Sequence, residues 1–180
     1  ACRAVHDGTA DAVVGAGNTG AMLAAGLLEI RRLPDVHRPA IAVPIPALGG
    51  PSILIDAGAN ADARPEHLLQ FAHMGGVFAE EIVGLRTPTV ALLSIGEEAS
   101  KGSPLVKETH ALLSASAALT AAGAIFVGNV EGRDVMTPDV DVVVTDGFTG
   151  NVVLKTLEGG MRTLVSAIFE AFGTSPETQA

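Results

Sequence analysis

Short apolar runs alternate with longer helical segments along this chain, and that rhythm constrains the fold more than any single residue does. Residues 12–14, 53–55, 90–95, 124–127 and 140–144 are apolar without strict alternation, the pattern of strands covered on both faces. Residues 19–31, 65–84, 104–122 and 151–172 read as the helices between and after them. Pro65 and Pro104 stand where a first-turn proline costs no hydrogen bond. The last helix carries Leu154, Leu157, Met161, Leu164, Ile168 and Phe172 on one face, with Gly173 as its stop. Gly159-Gly160 inside it costs roughly 2 kcal/mol against alanine, which predicts close packing there. Strands alternating with helices mean an α/β fold: a largely parallel sheet with helices on both faces.

Two uncharged stretches imitate membrane spans. Residues 39–55 hold four prolines and the Gly49-Gly50 pair, so they read as two strands joined by a turn. Residues 111–130 are long enough to cross a bilayer, but Ser114, Ser116, Thr120 and Gly123 divide them into a small-residue helix and a strand. Neither is read as a span. No basic segment with an apolar core opens the chain, so no signal peptide is expected. The 180 residues suit one domain. They open almost directly into a helix-like segment and close on a polar run at 174–180, which reads as a piece of a longer protein.

Composition narrows the function. Eleven Lys+Arg against 20 Asp+Glu give a charge of −9, which leaves no basic excess to neutralise a nucleic-acid backbone. There is no Trp or Tyr and only six Phe, so base-stacking platforms are missing as well. The single cysteine, Cys2, excludes a disulfide framework and a Cys-rich zinc site. The chain reads as cytoplasmic and globular.

The polar residues gather after the apolar runs. Gly15-Ala16-Gly17-Asn18-Thr19-Gly20 follows the first and Asp56-Ala57-Gly58-Ala59-Asn60 the second. The third leads into Gly96-Glu97-Glu98-Ala99-Ser100-Lys101-Gly102, and the fourth into Gly128-Asn129-Val130-Glu131-Gly132-Arg133-Asp134. Thr145-Asp146-Gly147-Phe148-Thr149-Gly150-Asn151 follows the last, with Lys155 one turn into the final helix. In parallel sheets ligands bind beyond the carboxyl ends of strands, so five such loops are expected on one rim. Singly, each glycine or asparagine suits a turn or cap; their repetition at strand ends points to a site.

Other chemistries find less support. The first loop matches G-x-G-x-x-G, but Asp35, at the spacing of a ribose-binding acid, precedes the next strand and does not close it. A nucleotide site is the weaker reading, and a backbone anion cradle needs no net positive charge. No G-x-S-x-G elbow occurs. His6, His37, His67, His73 and His110 form no H-x-x-x-H pair, so no metal site is expected.

These loops, in this order, resemble the bacterial acyl-ACP:phosphate acyltransferase (PlsX) family. The matching stretches are Asp11–Gly20, Arg38–Ile41, Asp56–Asn60, Leu69–Gly75, Ser94–Glu98 with Lys101-Gly102, Gly128–Asp134, and Asp146–Asn151 with Lys155. Gly150-Asn151 followed by Lys155 is also similar to phosphotransacetylases. The resemblance implies a Rossmann-like three-layer sandwich of the isopropylmalate dehydrogenase/phosphotransacetylase type. It implies transfer of a fatty acyl group from acyl carrier protein to inorganic phosphate, giving acyl phosphate for phospholipid synthesis. It further implies a homodimer, no metal or organic cofactor, and peripheral association with the inner face of the membrane. Against that family the chain is a central fragment, without an N-terminal strand bearing a Gly-Gly-Asp loop and without the parts that follow Phe172.

The candidate site follows from the loops. Asn18, Lys101, Asp146, Asn151 and Lys155 are the candidate catalytic residues. Gly17, Thr19, Gly20, Asp56, Asn60, Glu97, Asn129, Arg133, Thr149 and Gly150 are the candidate substrate-binding residues. Phosphate is expected against Asn18-Thr19 and Thr149-Gly150-Asn151, with Lys101 or Lys155 offsetting its charge and Asp56 or Asp146 orienting donors or accepting a proton. An acidic carrier protein would need a local basic patch on this acidic chain, and Arg31, Arg32 and Arg38 are the candidates for it. Two other readings stay open: a nucleotide-binding enzyme of the decarboxylating dehydrogenase type, and a non-catalytic fragment that dimerises through the stripe ending at Phe172.

Overall fold

The computed structural model describes residues 1–47 and 49–173. A five-stranded sheet runs through it in the order β1-β2-β5-β3-β4. Its strands are β1 (Ala42–Ile45), β2 (Ser52–Ile55), β3 (Thr89–Leu93), β4 (Ile125–Val130) and β5 (Val142–Val144). β1 and β2 are antiparallel, as the Pro/Gly-rich stretch between residues 39 and 55 predicts, while β2, β5, β3 and β4 are parallel. The parallel strands therefore end on one edge, and their loops meet there.

Alternate residues of each strand face opposite layers. Ile53, Ile55, Val90, Leu92, Val142 and Val144 pack with Leu68, Phe71 and Leu113 on one side. Those partners come from α3 (Pro65–Phe78) and α4 (Pro104–Ser114), and Leu119 of α5 (Ala117–Ala121) joins them. Leu54, Ala91, Leu93 and Val143 face the other way, toward Val135 and the half-buried Val153, Leu154 and Leu157 of α6 (Gly147–Gly173). Helices thus cover both faces, and Ile53, Leu54, Val90, Ala91, Leu92, Val142, Val143 and Val144 have no exposed surface. α3 lies so close to the sheet that a Cβ on Gly75 would stand 2.5 Å from Val142 Cγ1.

Several elements differ from the sequence expectation. Residues 12–14 form no strand: Val14 is 98% exposed, and no strand among the described residues pairs with this run. A three-residue apolar run cannot hold an extended ladder without a neighbour to accept its hydrogen bonds. It leads instead from α1 (Cys2–His6) to α2 (Thr19–Ala25), which continues as a π-helical turn over Gly26–Ile30. The expected helix at 104–122 breaks at Ala115-Ser116, because Ser116 caps a new helix by accepting the Leu119 N–H. α3 passes into a second π-helical turn, Ala79–Val83, closed by Gly84 in the left-handed region. β4 runs to Val130, so Gly128 and Asn129 lie in the strand and not in the loop beyond it.

α6 starts at Gly147, four residues before the expected position, and runs as a single helix to Gly173; residues 174–180 lie outside the described chain. The Gly159-Gly160 pair meets no close neighbour, contrary to the packing its cost predicts. From Glu158 to Phe172 the helix is exposed, with Leu164 at 62% and Phe169 at 73%. Its apolar stripe thus splits into a half-buried start at Leu154 and Leu157 and an exposed remainder. No helix among the described residues is long and apolar enough to cross a membrane.

Candidate functional site

Three groups of candidate residues emerge. The tightest joins the loop after β2 to the start of α6. Asp56 is fully buried. Its Oδ1 accepts N–H bonds from Ile41, Gly58 and Ala59 at 2.9–3.1 Å. Its Oδ2 accepts from the backbone and side-chain amides of Asn60, both at 2.8 Å. Asn60 Nδ2 also donates to the Pro39 carbonyl, and its own carbonyl receives the Gly147 N–H. Five donors converge on one carboxylate, and through them Asp56 organises the loop.

Glycine lets α6 begin against this loop. A Cβ on Gly150 would lie 1.9 Å from the Asp56 carbonyl oxygen, and one on Gly147 would lie 2.7 Å from the Asn60 nitrogen. Asn151 stands across from Gly58, 3.6 Å from where a Cβ on that glycine would be. Asp146 caps the helix: it accepts the Thr149 N–H at 2.9 Å on Oδ1 and the Thr149 hydroxyl at 2.7 Å on Oδ2. Lys155, one turn on, is exposed and ion-paired to Glu158 at 2.8 Å.

A cavity of about 220 Å³ opens at the strand ends beside Asp146. Leu92, Ser94, Gly102, Ser103, Asp146 and Thr149 line it, from the ends of β3 and β5 and the starts of α4 and α6. Ser103 caps α4 by accepting the Val106 N–H. The Ser94 hydroxyl is buried and has no hydrogen-bond partner. Neither serine is among the sequence candidates for the site, although Ser94 opens one of the matching stretches and Ser103-Pro104 carries the signature of a capped helix start. Lys101 adjoins this wall and has no ionic partner among the described residues.

A second group lies at the β3–β4 edge and is bound to itself. Arg133 pairs with Glu97 at 3.3 Å, Glu131 at 2.5 Å and Asp134 at 3.6 Å. Asn129, 5% exposed, contacts His110 Nδ1 at 2.9 Å and donates to the Glu98 carbonyl at 3.1 Å. These residues tie the loop of Glu97 and Glu98 to β4 and α4. The third group, Gly17, Asn18, Thr19 and Gly20, is exposed, and no hydrogen bond among the described residues links it to the other two. Asn18 Oδ1 accepts the Ala21 N–H as the cap of α2, which leaves its amide hydrogens available.

The three arginines expected to form a basic patch do share one surface. Arg31 and Arg32 border one groove with His37, and Arg32 and Arg38 border an adjoining one. Arg32 donates to the His37 carbonyl. His67 packs edge-on to His37 with centroids 6.3 Å apart, and its pKa is lowered by burial and then by the nearby Arg38 charge. His73, on the same helix, is lowered by burial. Among the described residues no group of three or more His, Cys, Asp or Glu is arranged to hold a metal.

With this geometry in hand, comparison places the chain among known proteins. It is 49% identical over 177 residues to a phosphate acyltransferase of Lysinibacillus sphaericus, covering 98% of this chain and 52% of that one. It is 55% identical over 157 residues to a phosphate acyltransferase of Myxococcus xanthus, covering 86% and 43%. The chain thus spans about half the length of the curated relatives it matches. The fold is that of a phosphotransacetylase from Streptococcus pyogenes, with a TM-score of 0.69 at 19% identity over 88% of this chain and 53% of the other. A family model described as a fatty acid synthesis protein matches residues 1–178, and the chain belongs to that family.

Proposed function

We propose that this chain is part of an enzyme that moves a fatty acyl group from the thioester of acyl carrier protein to inorganic phosphate. Its relatives' names support the reaction class, and the cavity at the strand ends carries the reading to particular residues. That cavity combines hydroxyls at Ser94 and Ser103 with the first turn of α4, where Pro104 has no N–H, the Val106 N–H goes to the Ser103 hydroxyl, and the Leu105 N–H has no helical acceptor. Phosphate sits there, with Lys101 supplying positive charge. Lys155, already paired with Glu158, plays a lesser part.

In the reaction a phosphate oxygen attacks the thioester carbonyl carbon. The carbonyl electrons move to oxygen, then return as the C–S bond breaks and the carrier's thiolate leaves. The proton that phosphate gives up goes to Asp146, whose carboxylate receives two hydrogen bonds against five at Asp56. Holding phosphate beside the carbonyl supplies several kcal/mol of the barrier. The Asn18 and Asn151 amides donate to the developing oxyanion, each good donor contributing about 3 kcal/mol. Arg31, Arg32 and Arg38 meet the acidic carrier protein. The exposed face of α6 at Leu164, Ile168 and Phe169 serves self-association or contact with a membrane surface.

The test uses the longer protein that contains this chain. Acyl carrier protein bearing a fatty acyl group is incubated with and without inorganic phosphate, and free thiol and hydroxylamine-trapped acyl phosphate are followed. Phosphate-dependent release of both in equal amounts is the expected result; thiol release without acyl phosphate overturns the reaction. Normal turnover with Asn18→Ala and Asn151→Ala combined would remove those amides from the site.

A further inference from the structure

Apart from the cavity at the strand ends, the chain holds a larger and drier one of about 420 Å³. Met22, Leu23, Leu27, Leu33, Val36 and Met74 form most of its wall, so α2, its π-helical turn, the segment before β1 and α3 all contribute. Two methionines and several leucines give a lining that adapts to flexible hydrocarbon. Arg31 and Arg32 also border it, and the same arginines line the adjoining groove with His37 and a single acid, Asp35. On a chain of net charge −9, an apolar cavity opening onto a basic surface is complementary to a molecule with a hydrocarbon tail and an anionic or acidic head.

The cavity is coupled to the loops of the candidate site. Pro39 and Ala40 line it, while the Pro39 carbonyl accepts from Asn60 and the Ile41 N–H donates to Asp56. On its other side Met22 packs under Gly15, where a Cβ would come within 2.7 Å of the methionine sulfur. The wall of the cavity thus continues directly into both glycine-rich loops.

We infer that this cavity holds the hydrocarbon chain of the acyl substrate and that the arginine groove beside it receives the carrier's anionic portion. The inference rests on the acyltransferase reading and adds the site that senses chain length. Each methylene that enters the cavity should tighten binding about fourfold until it is full. Filling it with Leu23→Trp or Met74→Trp should lower the ratio of long-chain to short-chain affinity by about tenfold or more. Shortening the wall with Met74→Ala should shift the preferred length upward.

The experiment measures binding of saturated fatty acids of four to eighteen carbons, by displacement of a fluorescent polyene fatty acid, to the wild-type protein and the three variants. Denaturation midpoints verify that each variant is folded, and sedimentation gives its oligomeric state. Rising affinity with length, flattened by either tryptophan and displaced by Met74→Ala, is the expected result. Equal affinity at all lengths, or length dependence untouched by all three variants, overturns the inference. So does a change confined to sedimentation, which would make this face a contact between copies of the chain. Transfer of a sixteen-carbon acyl group from acyl carrier protein to phosphate is assayed separately on the wild-type protein: its presence with no length-dependent binding sinks only the cavity, and its absence sinks the underlying reaction.

Discussion

Two glycine-rich regions of this chain look alike in composition and behave as opposites. At the junction of the Asp56–Asn60 loop with α6, glycine is present because nothing larger fits, and each side chain of Asp56 and Asn60 is spent on the backbone around it. In the Gly15–Gly20 loop and α2, no residue is buried and Gly17 has no neighbour within 4 Å of a would-be Cβ. One region is a joint that holds the sheet edge to a helix, and the other presents free donors and an apolar cavity wall. Abundant glycine therefore does not identify a ligand site by itself; unspent hydrogen-bonding capacity does.

The largest effect that could break this contrast is at Gly150. Gly150→Ala puts a methyl 1.9 Å from a backbone oxygen that cannot swing aside, and the expected loss is about 4 kcal/mol or more by denaturant unfolding. Gly17→Ala, by the same measurement, should change stability by no more than about 0.5 kcal/mol. Similar losses at both positions would mean that the two loops are equally tight. Asp56→Asn comes next. It turns two amide hydrogens toward existing N–H donors, for an expected loss of about 3 kcal/mol, against about 1 kcal/mol for Asn18→Ala, which removes only an exposed cap.

Ser94→Ala sharpens the contrast from the side of the ligand. The hydroxyl has no partner in the cavity, so its removal should leave the unfolding free energy within about 0.5 kcal/mol. Phosphate affinity, by contrast, should fall about tenfold in equilibrium dialysis, the value of one hydrogen bond to a charged group. An unaltered phosphate affinity would move the anion away from the strand ends of β3 and β5.

Much of this was legible in the sequence, and the failures have physical causes. Runs such as 53–55 and 140–144 announced central strands because burial on both faces demands uninterrupted apolar residues. Residues 12–14 looked the same, yet a strand depends on its partner, and no local pattern records whether a partner is near. Gly147 and Gly150 read as loop residues from low helix propensity, whereas the Asp56 loop requires glycine at that approach and the helix forms through them. Asp146 and Asp56 look alike in the sequence, because a sequence does not count the N–H groups that converge on a carboxylate. The Ser94 hydroxyl and the apolar cavity arise from elements distant in the chain and left no local mark.

The smallest predicted effect concerns the seam where the segment before β1 rests on α3. His37 donates its N–H to Gln70 Oε1 at 2.9 Å, Gln70 Nε2 donates to the Asp35 carbonyl at 2.8 Å, and the His37 ring meets His67. Burial and the charges of Arg38, Arg64 and His37 lower the His67 pKa, while Glu66 partly opposes them. A histidine lowered on folding binds its proton more readily when the structure opens, so opening takes up protons and stability rises with pH. For His67 and for the burial-lowered His73, this contribution is present above the unfolded value of about 6.5 and is lost as pH falls below it. Local opening of the seam should therefore become easier between about pH 7 and pH 5.5, before carboxylates titrate. Hydrogen exchange corrected for intrinsic rates should show the His37 amide losing protection over that range, while the Thr145 amide, bonded to the Ile55 carbonyl at 2.7 Å in the sheet, keeps its protection. His67→Gln should flatten the pH dependence at His37, because a neutral side chain beside Arg38 has no proton to gain; an undiminished slope would assign the effect to His73.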